Sequence, residues 1–337
     1  LDVLRWVPHL VALLLLLAPL ALVAQQPEAT DYDLSIDHVT VVDPDSRRVL
    51  PNHSVLVRDG RIEEVLPASE ADGVTAKRRL SGKGRFLIPG LIDAHVHLTL
   101  GRVSEEDAAQ RGAILNGILQ NTLDLLLANG VTGVRDMRSD CWPPKKPGRL
   151  CLDEHRQLQR QLASGERFGP RLLALASPPV NGGMERGYLP EGAEAFFAPE
   201  TAAEGKALAR YLSQQGVDLI KIYNTVPRAA YFALLDEAEQ QGLEVSGHLP
   251  LGVSVVEASL SGHRTIEHAR DLPLACSRYG SEYRAQMEKV VTRQKDAEPP
   301  DAETRLRRTL ESFDQERCQQ VLQVLVEQGT YLVPTHG

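Results

Sequence analysis

From Asp33 to Leu87 apolar and polar residues alternate in short runs, "DLSIDHVTVVD", "HSVLVRDGRIEEVL" and "RFLIP". A period of two is what a strand with one wet face produces. The "RDG" between two such runs predicts a hairpin turn. Residues 31–89 therefore read as a small β-sandwich-like domain, with His38 and His53 on its surface.

From Gly90 the pattern changes to apolar strand runs separated by helical periodicity. "GLIDAHVHL" is followed by "AAQRGAILNGILQNTLDLLLANG", whose leucines recur at helical spacing and which ends at Gly130. Then come "VTGVRDM", a helix from about Glu154 to Ser164, "RLLALAS", a helix from about Thr201 to Gln215, and "VDLIKIY". A helix from about Ala229 to Gln241, "LEVSGHL", a short helix near Val253 to Ser261 and "RTIEHA" complete the regular part. An irregular charged stretch from Leu272 precedes one long helix over Ala302 to Gln328, and "TYLVPTH" closes the pattern. Alternating strands and helices predict parallel strands joined by crossover helices. A (β/α)8 TIM-type barrel has eight strands, and about seven can be counted here. The fold class is thus α/β, an incomplete TIM-type barrel over residues 90–337, truncated before strand eight, behind the small N-terminal β domain.

The first segment fits neither pattern. "HLVALLLLLAPLALVA" runs uncharged from His9 to Ala24 after Arg5, then gives way to polar "QQPEATD". The run is shorter than the roughly 20 residues a membrane span needs, and it ends in small residues. Residues 1–24 read as an export signal, which makes the protein periplasmic or secreted with no stable membrane span. An uncleaved anchor is the alternative.

Composition changes little in this picture. Apolar residues at 42% and charged residues at 24% are an ordinary globular balance. A formal charge of -8 gives no electrostatic footprint for nucleic acid, and the small basic cluster "KKPGR" is explained as a solvated loop. Export places the four cysteines in an oxidising space. Cys141 and Cys151 bracket a Pro-rich loop that a bridge could pin, and Cys276 with Cys318 ranks behind that pair.

Chemistry in such barrels gathers at the carboxyl ends of the strands. "GLIDAHVHL" puts His95 and His97 on one face of a strand, two imidazoles about 6 to 7 Å apart by strand rise. In "DLIKIY" the two isoleucines flanking Lys221 must face the helices, so Lys221 points into the barrel with Tyr223 above it. "VSGHL" adds His248 and "TIEHA" adds His268, each about one compact βα unit further along. A buried ammonium without a partner is costly, so Lys221 must pair, lose its proton or be modified. Arg135 and Asp136 alternate faces, so at most one of them points inward, and an internal buttress is the reading for that one. His155 reads as helix surface, His263 as loop, and Glu267 as a residue facing away from His268 that either supports a ligand from behind or is structural.

The ordered set "FLIPGLIDAHVHL", "GVTGVRDM", "DLIKIY", "SGHLP" and "TIEHA" resembles the amidohydrolase superfamily. It looks most like the branch of imidazolonepropionase-related enzymes that includes prolidase-like dipeptidases. The resemblance implies that His95 and His97 hold one divalent metal ion and His248 and His268 a second. It also implies that Lys221, as its carbamate, bridges them together with a hydroxide that attacks the substrate carbonyl. Zinc is the default ion. The same likeness implies an aspartate ending strand eight as the proton shuttle, so no general acid or base can be named from this chain. Tyr223 is placed to touch a substrate carboxylate or to pack above Lys221, and His336 to contact substrate or cap its strand. The implied activity is hydrolysis of C–N bonds in small substrates such as dipeptides, N-acyl amino acids or cyclic amides. Two alternatives stand beside it. One is an exported barrel without catalysis. The other is a mononuclear deaminase, which would need a glutamate soon after His248, where the chain has "LPLG".

Overall fold

The computed structural model describes residues 32–98, 111–139, 152–184 and 196–335. The chain divides between Pro89 and Gly90 into two compact units. The first unit is one mixed sheet of five strands, where the sequence pattern suggested a sandwich-like pair of layers. Its strands are β1 (Tyr32–Asp43), β2 (Arg48–Arg58), β3 (Arg61–Pro67), β4 (Ala76–Ser81) and β5 (Phe86–Leu87). β3, β2 and β1 form an antiparallel meander, and β4 and β5 pair with β1 in parallel. The hairpin read from "RDG" is present: Arg58 pairs with Arg61, and Asp59 and Gly60 have φ of 51° and 71°. Two positive φ values in a two-residue loop are those of a type I′ turn, whose twist matches the flanking strands.

The second unit alternates strands and helices as the apolar pattern requires. In chain order it comprises β6 (Leu91–Val96), α1 (Arg111–Ala128), β7 (Val131–Asp136), α2 (Leu152–Ser164), β8 (Arg171–Leu175), α3 (Ala202–Gln215) and β9 (Leu219–Ile222). Then follow α4 (Arg228–Gln240), β10 (Glu244–Gly247), α5 (Val255–Leu260), β11 (His263–Glu267), α6 (Leu272–Ala275), α7 (Gly280–Val291), α8 (Ala302–Glu311), α9 (Gln315–Gln328) and β12 (Tyr331–Val333). Two parallel sheets, β6-β7-β8 and β9-β10-β11-β12, are joined by single bridges from Ala176 to Leu219 and from Val180 to Ile222. The seven strands thus follow one another in chain order, which is the TIM-type arrangement. The ring is not closed: among the described residues β6 pairs only with β7, and β12 only with β11. Leu91, Ile92 and Tyr331 on these two edges are exposed.

The main core lies between the strands and the helix layer. Ile220 and Ile222 pack outward with Leu208 and Leu212 of α3 and with Tyr231 and Leu234 of α4. That outward pair turns Lys221 to the other face of β9. Thr201 and Ser254 start α3 and α5 through capping boxes closed by Glu204 and Glu257. Among the described residues no helix is long and apolar enough to cross a membrane. Residues 1–24, expected from their sequence to be an export signal, lie outside the described residues.

Two expectations on the C-terminal side are corrected. The long helix over Ala302 to Gln328 is two helices, because Asp314 accepts from Arg317 N at 3.1 Å and caps a new start. The stretch from Leu272 to Ala302 is not irregular and carries α6 and α7. Cys276, at the end of α6, is bonded to Cys318 in α9, with Cα atoms 4.3 Å apart. That pairing had ranked behind Cys141–Cys151, a pair that lies outside the described residues. The bridge closes a loop with a sequence separation of 42. Cys276→Ser with Cys318→Ser should therefore cost roughly 2 to 4 kcal/mol, read as a lower urea midpoint that the unreduced parent does not show.

Candidate metal centre

The strand ends bring the anticipated residues together. β9 presents Lys221, and His97, His248 and His268 each follow the last residue or two of β6, β10 and β11. Gly247, with φ 135°, lets β10 pass close over β9, since a Cβ there would lie 2.4 Å from Ile222 O. His268 and Ala269 have φ of 69° and 49°, an uncommon left-handed turn for such residues. It swings the His268 ring toward the lumen while its N–H still donates to Val333 O at 2.7 Å.

His95 and His97 are not the parallel pair of a continuous strand. Their ring centroids are 5.0 Å apart at an interplanar angle of 87°, because β6 ends at Val96. Nε2 of His95 lies 3.3 Å from Nε2 of His97, and Nε2 of His268 lies 3.0 Å from Nε2 of His248. The His95 and His268 centroids are 4.8 Å apart, so the two pairs adjoin. Tyr223 lies over His248 at 4.4 Å between centroids and 5.6 Å from Lys221 Nζ.

The outer nitrogens explain the inner ones. His95 Nδ1 donates to Glu267 Oε2 at 2.6 Å, and His248 Nδ1 donates to Asn224 Oδ1 at 3.0 Å. Arg270 also donates to that Asn224 oxygen at 2.6 Å, which identifies the atom as an acceptor. The Thr335 hydroxyl gives its proton to Pro334 O, so His268 Nδ1 donates to Thr335 Oγ1 at 2.6 Å. With the proton on Nδ1, each Nε2 presents a lone pair to the centre. Two lone pairs 3.0 Å apart repel unless a cation or a proton lies between them. Histidines that ligate metals are held in this way, by an oxygen on the outer nitrogen.

Charge follows burial. Burial, then the neighbouring His95 and Lys221, push His97 down to about 3. His268 is pushed down to about 4 by burial and His95, and His248 is pushed down by burial and Lys221. These rings are neutral at pH 7, which is the ligating form. Lys221 is fully buried, and its Nζ has no hydrogen-bond partner among the described residues. Burial brings it down to about 7, although Glu267 pulls the other way. A half-deprotonated amine at neutral pH is a nucleophile for carbon dioxide. Among the described residues no three His, Cys, Asp or Glu side chains already surround one common point. The donors stand two and two, and together with Lys221 their chemistry fits a pair of divalent cations.

Several neighbours differ from the sequence reading. Glu267 agrees with it: it turns away from His268 into the lumen, where it supports His95 and pairs with Arg135. Arg135 is the inward buttress. His155 is buried, not surface, and its Nε2 lies 3.2 Å from Asp136 Oδ2. His263 is a strand residue, buried and bonded to Tyr231 OH at 2.9 Å and Thr265 O at 3.0 Å. His336 lies outside the described residues. Asn224, Arg270 and Thr335 were not foreseen, since no local pattern marks a residue that only supports a histidine.

No family model matches the chain. An imidazolonepropionase from Chromobacterium violaceum is 29% identical over 233 residues, covering 59% of this chain and 53% of the relative. One from Klebsiella pneumoniae is 39% identical over 82 residues, covering 24% of this chain and 18% of the relative. An adenine deaminase from Ruegeria pomeroyi is 31% identical over 112 residues, covering 32% and 18%. The chain thus spans at most about half the length of these curated relatives. Among solved structures, molinate hydrolase superposes with a TM-score of 0.57 at 18% identity, covering 89% of this chain and 63% of that one. A prolidase complexed with N-methylphosphonate-L-proline superposes with a TM-score of 0.54 at 19% identity, covering 89% and 77%. At these identities the likeness to solved structures establishes the fold.

Proposed function

The chain is a member of the amidohydrolase superfamily, and on that premise we propose that the whole protein is a binuclear metal-dependent hydrolase of C–N bonds in small amides. Dipeptides, N-acyl amino acids and cyclic amides are the substrate class. The observation that carries the reading is Lys221, a fully buried amine without a hydrogen-bond partner among the described residues, set beside His95, His248 and His268, whose outer nitrogens donate to oxygens and whose inner nitrogens present lone pairs. His95 and His97 would hold one ion and His248 and His268 the other. Lys221 would join them after its neutral amine adds carbon dioxide, forming one N–C bond and releasing one proton. Divalent ions bound there, zinc by preference, would supply Lewis-acid polarisation of a carbonyl and a more acidic water.

The chain's own residues prepare the site. Glu267, Asn224 and Thr335 fix the ring orientations of His95, His248 and His268. Tyr223 covers His248 and Lys221 and offers a hydroxyl to a substrate carboxylate. The adenine deaminase relative keeps amidine C–N bonds within reach of the same site. The apolar leading segment supports an exported location, periplasmic or secreted, as part of this proposal.

The test is metal stoichiometry in the whole protein. Two divalent ions per chain are expected, and Lys221→Ala should lose metal and activity together, with partial recovery on adding a short carboxylic acid. One tightly held ion, unchanged by Lys221→Ala, would overturn the binuclear reading.

A further inference from the structure

The lumen contains a connected set of buried polar groups that are not themselves ligands. Arg135 leaves β7 and crosses to β11, a strand that neighbours neither β7 nor β6. Its Nη2 donates to Glu267 Oε1 at 2.7 Å, its Nη1 to Thr265 Oγ1 at 3.1 Å, and its Nε to Ala94 O at 2.6 Å. Thr265 Oγ1 donates to the same Glu267 Oε1 at 2.6 Å. The other carboxylate oxygen, Oε2, is left to His95 Nδ1 at 2.6 Å. The Glu267 side chain is completely buried. One oxygen of the carboxylate is thus anchored by two donors, and the second faces a single imidazole nitrogen.

We propose that Glu267 is a positioning residue: oriented by Arg135 and Thr265, its carboxylate holds His95 in the Nδ1-protonated tautomer, with Nε2 free and aimed at the centre, before any cation arrives. A free imidazole prefers its proton on Nε2, the form that would block ligation. A carboxylate only accepts, so it draws the proton to Nδ1. The amide of a glutamine both donates and accepts, so it satisfies either tautomer in nearly the same volume. Arg135 acts one step further out. It reaches the backbone carbonyl beside His95 and the carboxylate that meets the His95 ring, so it sets the position of both. The consequence for metal binding rests on the metal-centre reading, whereas the tautomer does not.

The experiment uses the full chain with histidine labelled with nitrogen-15, stripped of divalent ions by a chelator, and compares the parent with Glu267→Gln. His95 of the parent is expected as the Nδ1–H tautomer, and Glu267→Gln should mix in the Nε2–H form. Zinc affinity, read by competition with a chelating dye, should fall about 10- to 100-fold. A parent His95 protonated on Nε2 overturns the proposal without any variant. It is also overturned if Glu267→Gln keeps the single Nδ1–H tautomer and parental zinc affinity while only the melting temperature drops. That result leaves a structural ion pair and nothing more. If the parent binds no divalent ion yet His95 responds to Glu267→Gln as stated, the positioning role stands and the metal-centre reading fails.

Discussion

Lys221→Met should stabilise the metal-free chain at pH 7 by roughly 3 to 4 kcal/mol, while the same change in the whole protein should abolish the metal binding and activity proposed for it. The stabilisation follows from where the proton sits. Burial lowers Lys221 from 10.5 to about 7. In the unfolded chain the amine stays protonated up to its ordinary value. Between about pH 7 and 10.5 the unfolded state therefore binds more protons, and stability must rise with pH across that window. Below pH 7 both states are charged, and the full cost of the buried ammonium is present.

Methionine fills similar volume with no charge to desolvate, and replacing buried charges by apolar groups of like size is often stabilising. Urea unfolding with chelator present should show parental stability climbing between pH 7 and 10, and a flat profile for Lys221→Met. The parent should also weaken as pH falls from 6.5 toward 4. Burial lowers His263 and His268 to about 4, so the unfolded chain takes up protons first there. A parental curve that is flat above pH 7 would mean that water or a partner reaches Lys221. A residue that destabilises the fold until a ligand arrives is the signature of a site kept for function.

Lys221 could be read from sequence because β9 has a rigid alternation: two isoleucines committed to the helix layer leave the residue between them one direction. The same logic placed His95, and the strand-end histidines needed only the order of the βα units. What alternation cannot supply is the fate of a residue where a strand stops. His97 turns edge-on to His95 because β6 ends at Val96, and His268 enters the lumen on a left-handed turn. Support residues were legible only in part. Thr265 and Glu267 share a face by period two, but their partner Arg135 lies on a strand far away in sequence. His155 looked like helix surface because its helix is rich in charge, yet its own position faces Asp136. The break in the long C-terminal helix turned on a single cap at Asp314, which competes with a continuous periodic pattern.

Arg135→Met should cost about 3 to 5 kcal/mol at pH 8, since breaking a buried pair leaves an uncompensated charge. Glu267 is that charge. Burial pushes its carboxyl up, but the hydrogen bonds from His95 and Thr265 and the Arg135 charge outweigh burial and hold it below its ordinary value. With Arg135 gone, one of the groups that hold the carboxyl down is lost, and it moves up from its parental position. The folded variant then binds more protons than the folded parent, so its stability falls relative to the parent as pH rises through that interval. The deficit of Arg135→Met against the parent should therefore widen from pH 5 to pH 8. Glu267→Gln in the same chain removes the stranded charge and should recover most of the loss, giving a strongly non-additive double-mutant cycle. The other two hydrogen bonds of Arg135, to the Ala94 carbonyl and to the Thr265 hydroxyl, account for the part that does not return. Chemical denaturation of the parent, both single variants and the double variant at pH 5 and pH 8 measures every leg. If Arg135→Met loses less than about 1 kcal/mol at pH 8, the range of an exposed pair, then solvent screens Glu267 and the lumen is wetter than its burial indicates.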